Sequence, residues 1–378
     1  MMRLDDREWK DFPIPVIFQR IQRGKRLKNA DHIVGNMPYV SSTANNNGVD
    51  DYIEASAETR SFKNCISLAN SGSVGTAFYE PFEFVASDHV TSLKCQKANK
   101  YIYLFLATVL ECQSSNFNFN REINDLRIKK MRIMLPTTDD DQPDYQFMED
   151  YIRELMSVKK ERFRQYAEKR IKSLEASLDR LGLDVARQEN SDQRKSREWK
   201  PISISSIFEF ARGRENNMAM LDTGDTPLIS AKNGNNGLKG FVNTPKKAIP
   251  GHCITLNNDG DGGAGLAYYQ PFSMALDTHV TALIPKIKMT QWVMLFISEC
   301  LSGLHGFFGH GLSISNDRAK NIKIMLPVTD DGQPDYDFMD LFGRKMMLNK
   351  YKQYLNFLAL SDTSGTTKNE NAVTIDKI

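Results

Sequence analysis

The chain has 378 residues, more than one hydrophobic core usually organises, so its length favours two domains. Charged residues make up 25% and hydrophobic residues 40% of the chain, proportions that exclude a fibrous or largely disordered protein. The formal net charge is only +2, so any binding of nucleic acid must depend on local basic patches rather than on bulk charge.

The sequence shows no sign of export or of a membrane span. Its longest apolar run, 101–110, has about half of the ~20 residues needed to cross a bilayer, and residues 1–9 lack the apolar stretch of a secretory signal. The five cysteines are odd in number and far apart, without a Cys-x-x-Cys pair, which argues against a disulfide framework or a structural zinc site. We therefore expect a cytoplasmic protein.

The first predicted elements are short strands. Apolar or β-branched runs are separated by clusters of Asn, Gly, Ser and Asp, the pattern of strands joined by turns. Examples of these runs are 38–41, 65–68, 82–85 and 89–93. The mostly apolar block 101–110 follows, and its length favours a buried helix over a strand. A strand ending in Leu-Pro and an Asp-rich turn complete this part of the chain.

A long helix is predicted next, over 147–185, where Gly182 is the one helix breaker. Some forty helical residues would form a rod of roughly 60 Å. Apolar residues recur at alternating spacings of three and four, as in a coiled coil, at Ile171, Leu174, Leu178, Leu181 and Val185. A second helix, 338–360, bears a similar apolar face, so we expect the two helices to pack antiparallel against each other. The alternative is that each helix folds back onto its own domain.

The chain repeats itself once, which is the firmest inference from the sequence. Segment 133–148 reads Ile-Met-Leu-Pro-Thr-Thr-Asp-Asp-Asp-Gln-Pro-Asp-Tyr-Gln-Phe-Met and returns almost letter for letter at 324–339. Shorter matches keep the same order, with Trp9 returning as Trp199 and His89 as His279. An ordered series of this kind predicts a tandem duplication.

Two copies held at a fixed spacing suit an extended ligand such as duplex DNA with two half-sites. Arg and Lys can bind phosphates, Arg can contact guanine, and Asn can read adenine. The first copy offers Arg20, Arg23, Lys25, Arg26, Lys28, Asn45, Asn46, Asn47, Arg121 and Arg127. The second copy offers Arg212, Arg214, Lys232, Asn233, Asn235, Asn236, Arg318 and Lys320. The alternative for the Asn-Gly runs is simple turn chemistry.

No catalytic or metal-binding set is expected on this chain. His89 and His279 sit inside apparent strands without a second ligand or nucleophile at a useful spacing, which favours structural histidines. The acidic turns 139–141 and 330–331 lack the spacing of a calcium loop, which favours solvated turns. The Gly-rich runs 70–75 and 258–263 are not followed by the Gly-Lys-Ser/Thr of a phosphate-binding loop.

This tandem layout resembles the specificity (S) subunits of bacterial restriction–modification systems, the type I group and its BcgI-like type IIB relatives. The module ending, Ile-Met-Leu-Pro followed by Gln-Pro-Asp-Tyr-x-Phe-Met, carries the closest local likeness, at 133–148 and 324–339. The resemblance implies an α+β protein with two tandem, mixed, strand-rich target-recognition domains. Each domain would be followed by a long α-helix, and the helices would pair as an antiparallel coiled coil.

The resemblance also implies a function and a domain division. The chain would be non-catalytic, read a bipartite DNA target and dock methyltransferase subunits, which bind S-adenosylmethionine; a nuclease would lie on or be fused to a partner. The expected segments are a first target-recognition domain at 1–145, a spacer helix at 146–190, a second target-recognition domain at 191–336, a second spacer helix at 337–361 and a disordered tail at 362–378. A metal-dependent nuclease or another tandem ligand-binding protein stays open as an alternative.

Overall fold

The computed structural model describes residues 2–56, 59–118, 120–181, 197–216, 221–243, 245–260, 263–309 and 312–363. The chain divides into two compact units, unit 1 at Met1–Phe163 and unit 2 at Arg164–Ile378. The five-segment division expected from the sequence stays a prediction. Residues 364–378 of its expected disordered tail and residues 182–190 of its first spacer helix lie outside the described part of the chain.

Unit 1 is a mixed α+β fold. Its described strands are β1 (Trp9–Pro13), β2 (Arg20–Arg23), β3 (Val34–Val40), β4 (Val49–Ile53), β5 (Ser61–Ala69), β6 (Ala77–Ala86), β7 (Val90–Lys94) and β8 (Arg132–Pro136). Its helices are α1 (Ile14–Ile17), α2 (Lys100–Glu111), α3 (Asp125–Lys130) and the first part of α4 (Tyr145–Asp179). β1 pairs with β8, and the other strands form one sheet in the order β2-β7-β5-β6-β3-β4. In that sheet β3 and β6 run parallel.

Unit 2 repeats this plan with one interruption. Its described strands are β9 (Trp199–Ser203), β10 (Phe208–Arg212), β11 (Thr223–Ile229), β12 (Leu238–Val242), β13 (Ala248–Ile249), β14 (Cys253–Asn257), β15 (Ala267–Gln270), β16 (Met274–Leu276), β17 (Val280–Pro285) and β18 (Lys323–Pro327). Its helices are α5 (Ile204–Ile207), α6 (Gln291–Ser302), α7 (Asn316–Asn321) and α8 (Tyr336–Thr363). The long strands β5 and β6 of unit 1 are here divided into β13 and β14 and into β15 and β16, so the six-stranded sheet is replaced by β10-β17-β14-β15 and β12-β11-β16-β13.

The apolar block 101–110 and its counterpart 292–301 in the second copy form helices, as the sequence predicts. Asn99 caps α2 by accepting from the Tyr101 and Ile102 amides, and Thr290 caps α6 by accepting from the Val293 amide. Each helix buries its apolar face against the sheet of its own unit, in cores that include Leu106 and Met294. Burial of whole apolar side chains is the main source of stability in both units.

The repeated module ending is a helix cap. Asp144 and Asp335 each accept a hydrogen bond from the backbone amide three residues later, at 2.9 Å, and so cap α4 and α8. Each aspartate also meets an arginine, Arg7 at 2.9 Å in unit 1 and Arg197 at 3.4 Å in unit 2. The Gln-Pro-Asp-Tyr sequence therefore occurs in both copies because it starts a long helix in each, α4 in the first and α8 in the second.

Within unit 2, the end of α4 packs against α8. Leu174 and Leu178 are buried together with Leu348. The Arg344 Nη1 donates to Ser177 Oγ at 3.0 Å, and Lys352 Nζ lies 2.8 Å from Glu175 Oε1. An antiparallel coiled coil along the full predicted length stays a prediction. Of the last two residues of the predicted apolar face of the first helix, Leu181 is exposed, and Val185 lies outside the described residues.

Replacing Asp335 with alanine tests the helix cap. The variant D335A removes the acceptor of the Phe338 amide, so the free energy of unfolding should fall by about 1–2 kcal/mol. Urea denaturation of the full chain measures the change. D337A is the matched control, because Asp337 is an exposed residue in the first turn of α8. Equal losses in D335A and D337A would contradict the assigned cap.

Candidate nucleic-acid interface

An arginine ends the second strand of each unit and holds a distant turn. Arg23 Nε donates to the Asp88 carbonyl at 2.5 Å, and Arg212 Nε donates to the Thr278 carbonyl at 3.0 Å. The two acceptors occupy matching places, in the turns that lead into β7 and β17. The Arg23 side chain stays 36% exposed. Each arginine therefore fixes a turn and still presents its guanidinium at the surface.

The short helices α3 and α7 add further cations to this region. Asn124 caps α3 by accepting from the Arg127 amide, and Ser315 caps α7 by accepting from the Arg318 amide. In unit 1, Arg23 Nη1 lies 3.9 Å from Asp125 Oδ1 at the start of α3. The structure thus brings Arg23 of β2 close to the start of α3, the helix that carries Arg127.

A buried asparagine joins the elements of this surface in each unit. The Asn70 amide donates to the His89 carbonyl at 2.7 Å, and the Asn70 carbonyl accepts from the Ile123 amide at 3.0 Å. Its side-chain oxygen accepts from Thr91 Oγ1 at 2.8 Å. Asn258 makes the same bonds with its counterparts His279, Ile314 and Thr281. The strand end, the histidine turn and the segment before the short helix are therefore tied to one residue.

The Asn-Asn-Gly runs form left-handed turns at another place. Asn46 and Asn47 have φ of 49° and 52°, and Asn235 and Asn236 have φ of 48° and 55°. Asparagine tolerates this region better than most residues. The Asn236 Nδ2 donates to the Tyr269 carbonyl at 3.2 Å. Turn geometry therefore accounts for these residues, and contact of their side chains with bases stays a prediction.

The other predicted contact residues lie at the surface. Arg20 donates to Gln22 Oε1 at 2.6 Å and 3.0 Å along β2. The remaining exposed members are Lys25, Arg26, Lys28, Asn45, Arg121, Arg214, Lys232, Asn233 and Lys320. The Asn-Asn-Gly turn of unit 2 contacts the end of β15, whereas Arg212 contacts the turn after β16. The structure therefore spreads the predicted residues over more than one region of each unit.

The sequence misplaced the two matching histidines. His89 and His279 were predicted inside strands, but they lie in the turns, one residue before β7 and β17. Each side chain is 56% exposed. The ring Nδ1 is hydrogen-bonded to Ser71 Oγ at 2.5 Å in unit 1 and to Asp259 Oδ1 at 2.6 Å in unit 2. Their recurrence in both copies is the signal that could have marked them as candidate surface residues.

The two units differ beneath the Asn-Asn-Gly turn. In unit 2, Gln270 Nε2 donates to the Asn236 carbonyl at 2.9 Å. Glu80 takes the place of Gln270 in unit 1, where it is fully buried and accepts from Ser67 Oγ at 2.9 Å. Burial raises the pKa of Glu80 to about 7, because the interior disfavours the charged carboxylate. A protonated Glu80 can donate a hydrogen bond as Gln270 does.

The acidic turns are stabilised by local contacts. The Asp141 carboxylate pairs with Lys10, and the Asp331 carboxylate accepts from the Gln333 amide at 3.4 Å. The hydrogen bond from the Thr329 hydroxyl is the main reason that the pKa of Asp331 is lowered.

Among the described residues, no group of three or more His, Cys, Asp or Glu is arranged to hold a metal ion. None of the described helices is both long enough and apolar enough to span a membrane.

Both units match one protein family. Residues 6–163 and 196–355 each match the type I restriction modification DNA specificity domain. The chain is also 23% identical over 336 residues to the "Type II restriction enzyme BgcI specificity subunit S.BcgI" of Heyndrickxia coagulans, over 88% of this chain and 91% of that relative.

Solved structures include similar chains. The S subunit of a type I restriction-modification system from M. genitalium has a TM-score of 0.44 and 18% identity, and the match covers 96% of each chain. The HsdS subunit from Thermoanaerobacter tengcongensis has a TM-score of 0.31 and 12% identity, over 93% of this chain and 91% of that chain.

Replacing Glu80 with glutamine tests the buried carboxyl group. Folding raises the pKa of Glu80 from an ordinary 4.5 to about 7, so the folded chain holds the proton more tightly than the unfolded chain. The contribution of Glu80 to stability is therefore greatest at low pH and falls as the pH rises through this window, by on the order of 3 kcal/mol. In E80Q this loss should disappear.

Urea denaturation at about pH 5 and about pH 8 measures the effect. The control is E83Q, because Glu83 is an exposed carboxylate on the same strand. E83Q should keep the pH dependence of the unchanged chain. If E80Q kept it too, Glu80 would not be the group that titrates.

Proposed function

The chain belongs to the family of type I restriction modification DNA specificity domains and is a specificity subunit of a restriction–modification system, and from that premise we propose that each unit reads one half of a split duplex DNA sequence. The arginine-held turn, present in both units, is the observation that carries the proposal. Arg23 and Arg212 lie at matching strand ends and make matching backbone contacts. Arg127 and Arg318 follow at matching places on α3 and α7.

Differences between the units support two different half-sequences. Arg20 lies opposite Lys94 in the register of β2 and β7 in unit 1. Glu209 occupies the position of Arg20 in unit 2. In the loop before the short helix, Arg121 of unit 1 is replaced by Leu312 in unit 2. Because base recognition depends on which donors and acceptors reach the groove, such replacements would change the bases that are read.

We propose that catalysis is supplied by partner chains. A methyltransferase subunit would bind S-adenosylmethionine and methylate DNA that this chain selects, and a nuclease would be a separate or fused subunit. The long helices α4 and α8 would dock these partners and set the distance between the units. We also infer a cytoplasmic location, which agrees with five cysteines that are all free thiols.

Methylation mapping of the native host tests this function. Genomic DNA is compared between cells with and without the gene for this chain. Loss of methylation at one split sequence, with restoration when the gene is returned, is the expected result. An unchanged methylation pattern, together with no salt-dependent binding of duplex DNA by the purified complex, would contradict the proposal.

Charge reversal on the basic stretch of unit 1 gives a second test. The variant R23E/K25E/R26E should weaken binding to all duplexes, by a factor of roughly 100 at low salt, because repulsion replaces attraction to phosphates. Electrophoretic mobility shifts of the purified complex measure the affinity. R3E is the control, because it changes an exposed arginine near the N-terminus. Equal binding by the triple variant and R3E would show that this face does not contact DNA.

A further inference from the structure

The arginine and the histidine of the turn recur in both units while their neighbours change. Asp88, which precedes His89, is replaced by Thr278 before His279. The hydrogen-bond partner of the ring changes from Ser71 to Asp259. Since both histidines are 56% exposed, packing in a core does not account for their recurrence. A shared role at the surface accounts for the recurrence of both histidines.

The geometry holds the arginine and the histidine of each unit at one turn. Arg23 Nε is engaged by the carbonyl of the residue before His89, and the Arg23 side chain stays partly exposed. The histidine ring is oriented through Nδ1 by a side chain that follows β5 or β14. The buried Asn70 and Asn258 fix the backbone of the same turns. Each turn is therefore a rigid support for an arginine and a histidine.

Two carboxylates near the arginine and the histidine of unit 1 are loosely placed. Asp125 Oδ1 lies 3.9 Å from Arg23 Nη1, and Asp88 Oδ1 lies 3.9 Å from His89 Nε2. Exposed ion pairs of this length contribute little, so a phosphate can replace them at small cost. Asp259 differs, because it touches His279 Nδ1 at 2.6 Å and orients the ring.

We propose that Arg23 with His89, and Arg212 with His279, form two matching sites for a phosphate of the DNA backbone. The inference rests on the proposed function, in which the two units read different half-sequences. The feature that different half-sequences share is the sugar-phosphate backbone, so residues that both units share contact phosphates. Guanidinium N–H groups, and the Nε2–H of a protonated histidine, are strong donors to phosphate oxygens. Base reading is left to residues that differ between the units, such as Arg20 and Glu209.

Paired substitutions in the full-length chain, purified with its partner subunits, test the two sites. The variants are R23Q/H89Q in unit 1 and R212Q/H279Q in unit 2, and R3Q is the charge-matched control. Fluorescence anisotropy measures binding to two labelled duplexes of equal length, one with the methylated target and one without it. Titrations at several KCl concentrations give the salt dependence.

Each paired variant should weaken binding to both duplexes about tenfold and reduce the slope of log affinity against log salt by about one, whereas R3Q should change neither. The losses in the two units should be alike, and the methylated sequence should stay the same. A loss confined to the target duplex, or a changed methylated sequence, would overturn the proposal in favour of base reading. Losses no greater than in R3Q would overturn it as well.

Two single variants separate binding from the support of the turn. H89Q and H279Q keep the arginine that holds each turn, so they should retain the thermal midpoint and still lose about threefold in affinity for both duplexes. Unchanged affinity in both would overturn the role of the histidines. If the complex without any substitution bound neither duplex, that result would instead refute the proposed function and the inference with it.

Discussion

The proposed DNA face depends on a buried asparagine that each unit uses in the same way. Asn70 and Asn258 are 1% exposed, and each bonds a histidine turn, a threonine of the next strand and the segment before a short helix. Their side-chain nitrogens have no hydrogen-bond partner among the described residues. Each asparagine therefore lies where three surface segments meet.

The duplication could be predicted from the sequence because each repeated segment forms a local structure. The Leu-Pro and Gln-Pro-Asp-Tyr segments each describe one strand end and one helix start, and the structure explains them as the caps Asp144 and Asp335. The apolar blocks 101–110 and 292–301 have the length and composition of buried helices, and they form α2 and α6. Elements whose cause lies within a dozen residues were thus predictable.

The arrangement of the candidate interface could not be predicted in the same way, because its bonds join distant residues. Arg23 and Asp88 are 65 residues apart in the chain, and no local pattern pairs them. His89 shows the same limit on a smaller scale. The β-branched run His-Val-Thr-Ser-Leu predicts a strand that includes the histidine, but the strand begins at Val90. A shift of one residue in the start of the strand decides whether the His89 ring lies on a sheet or at an exposed turn.

The account claims above all that two similar units select two separate stretches of one duplex. Selection of binding sites from a random pool of duplex DNA, with the purified full complex, tests that claim most directly. The account predicts a sequence of two defined halves, different from each other and separated by unspecified base pairs of constant number. Enrichment of a single uninterrupted sequence, or of two halves at variable separation, would contradict it.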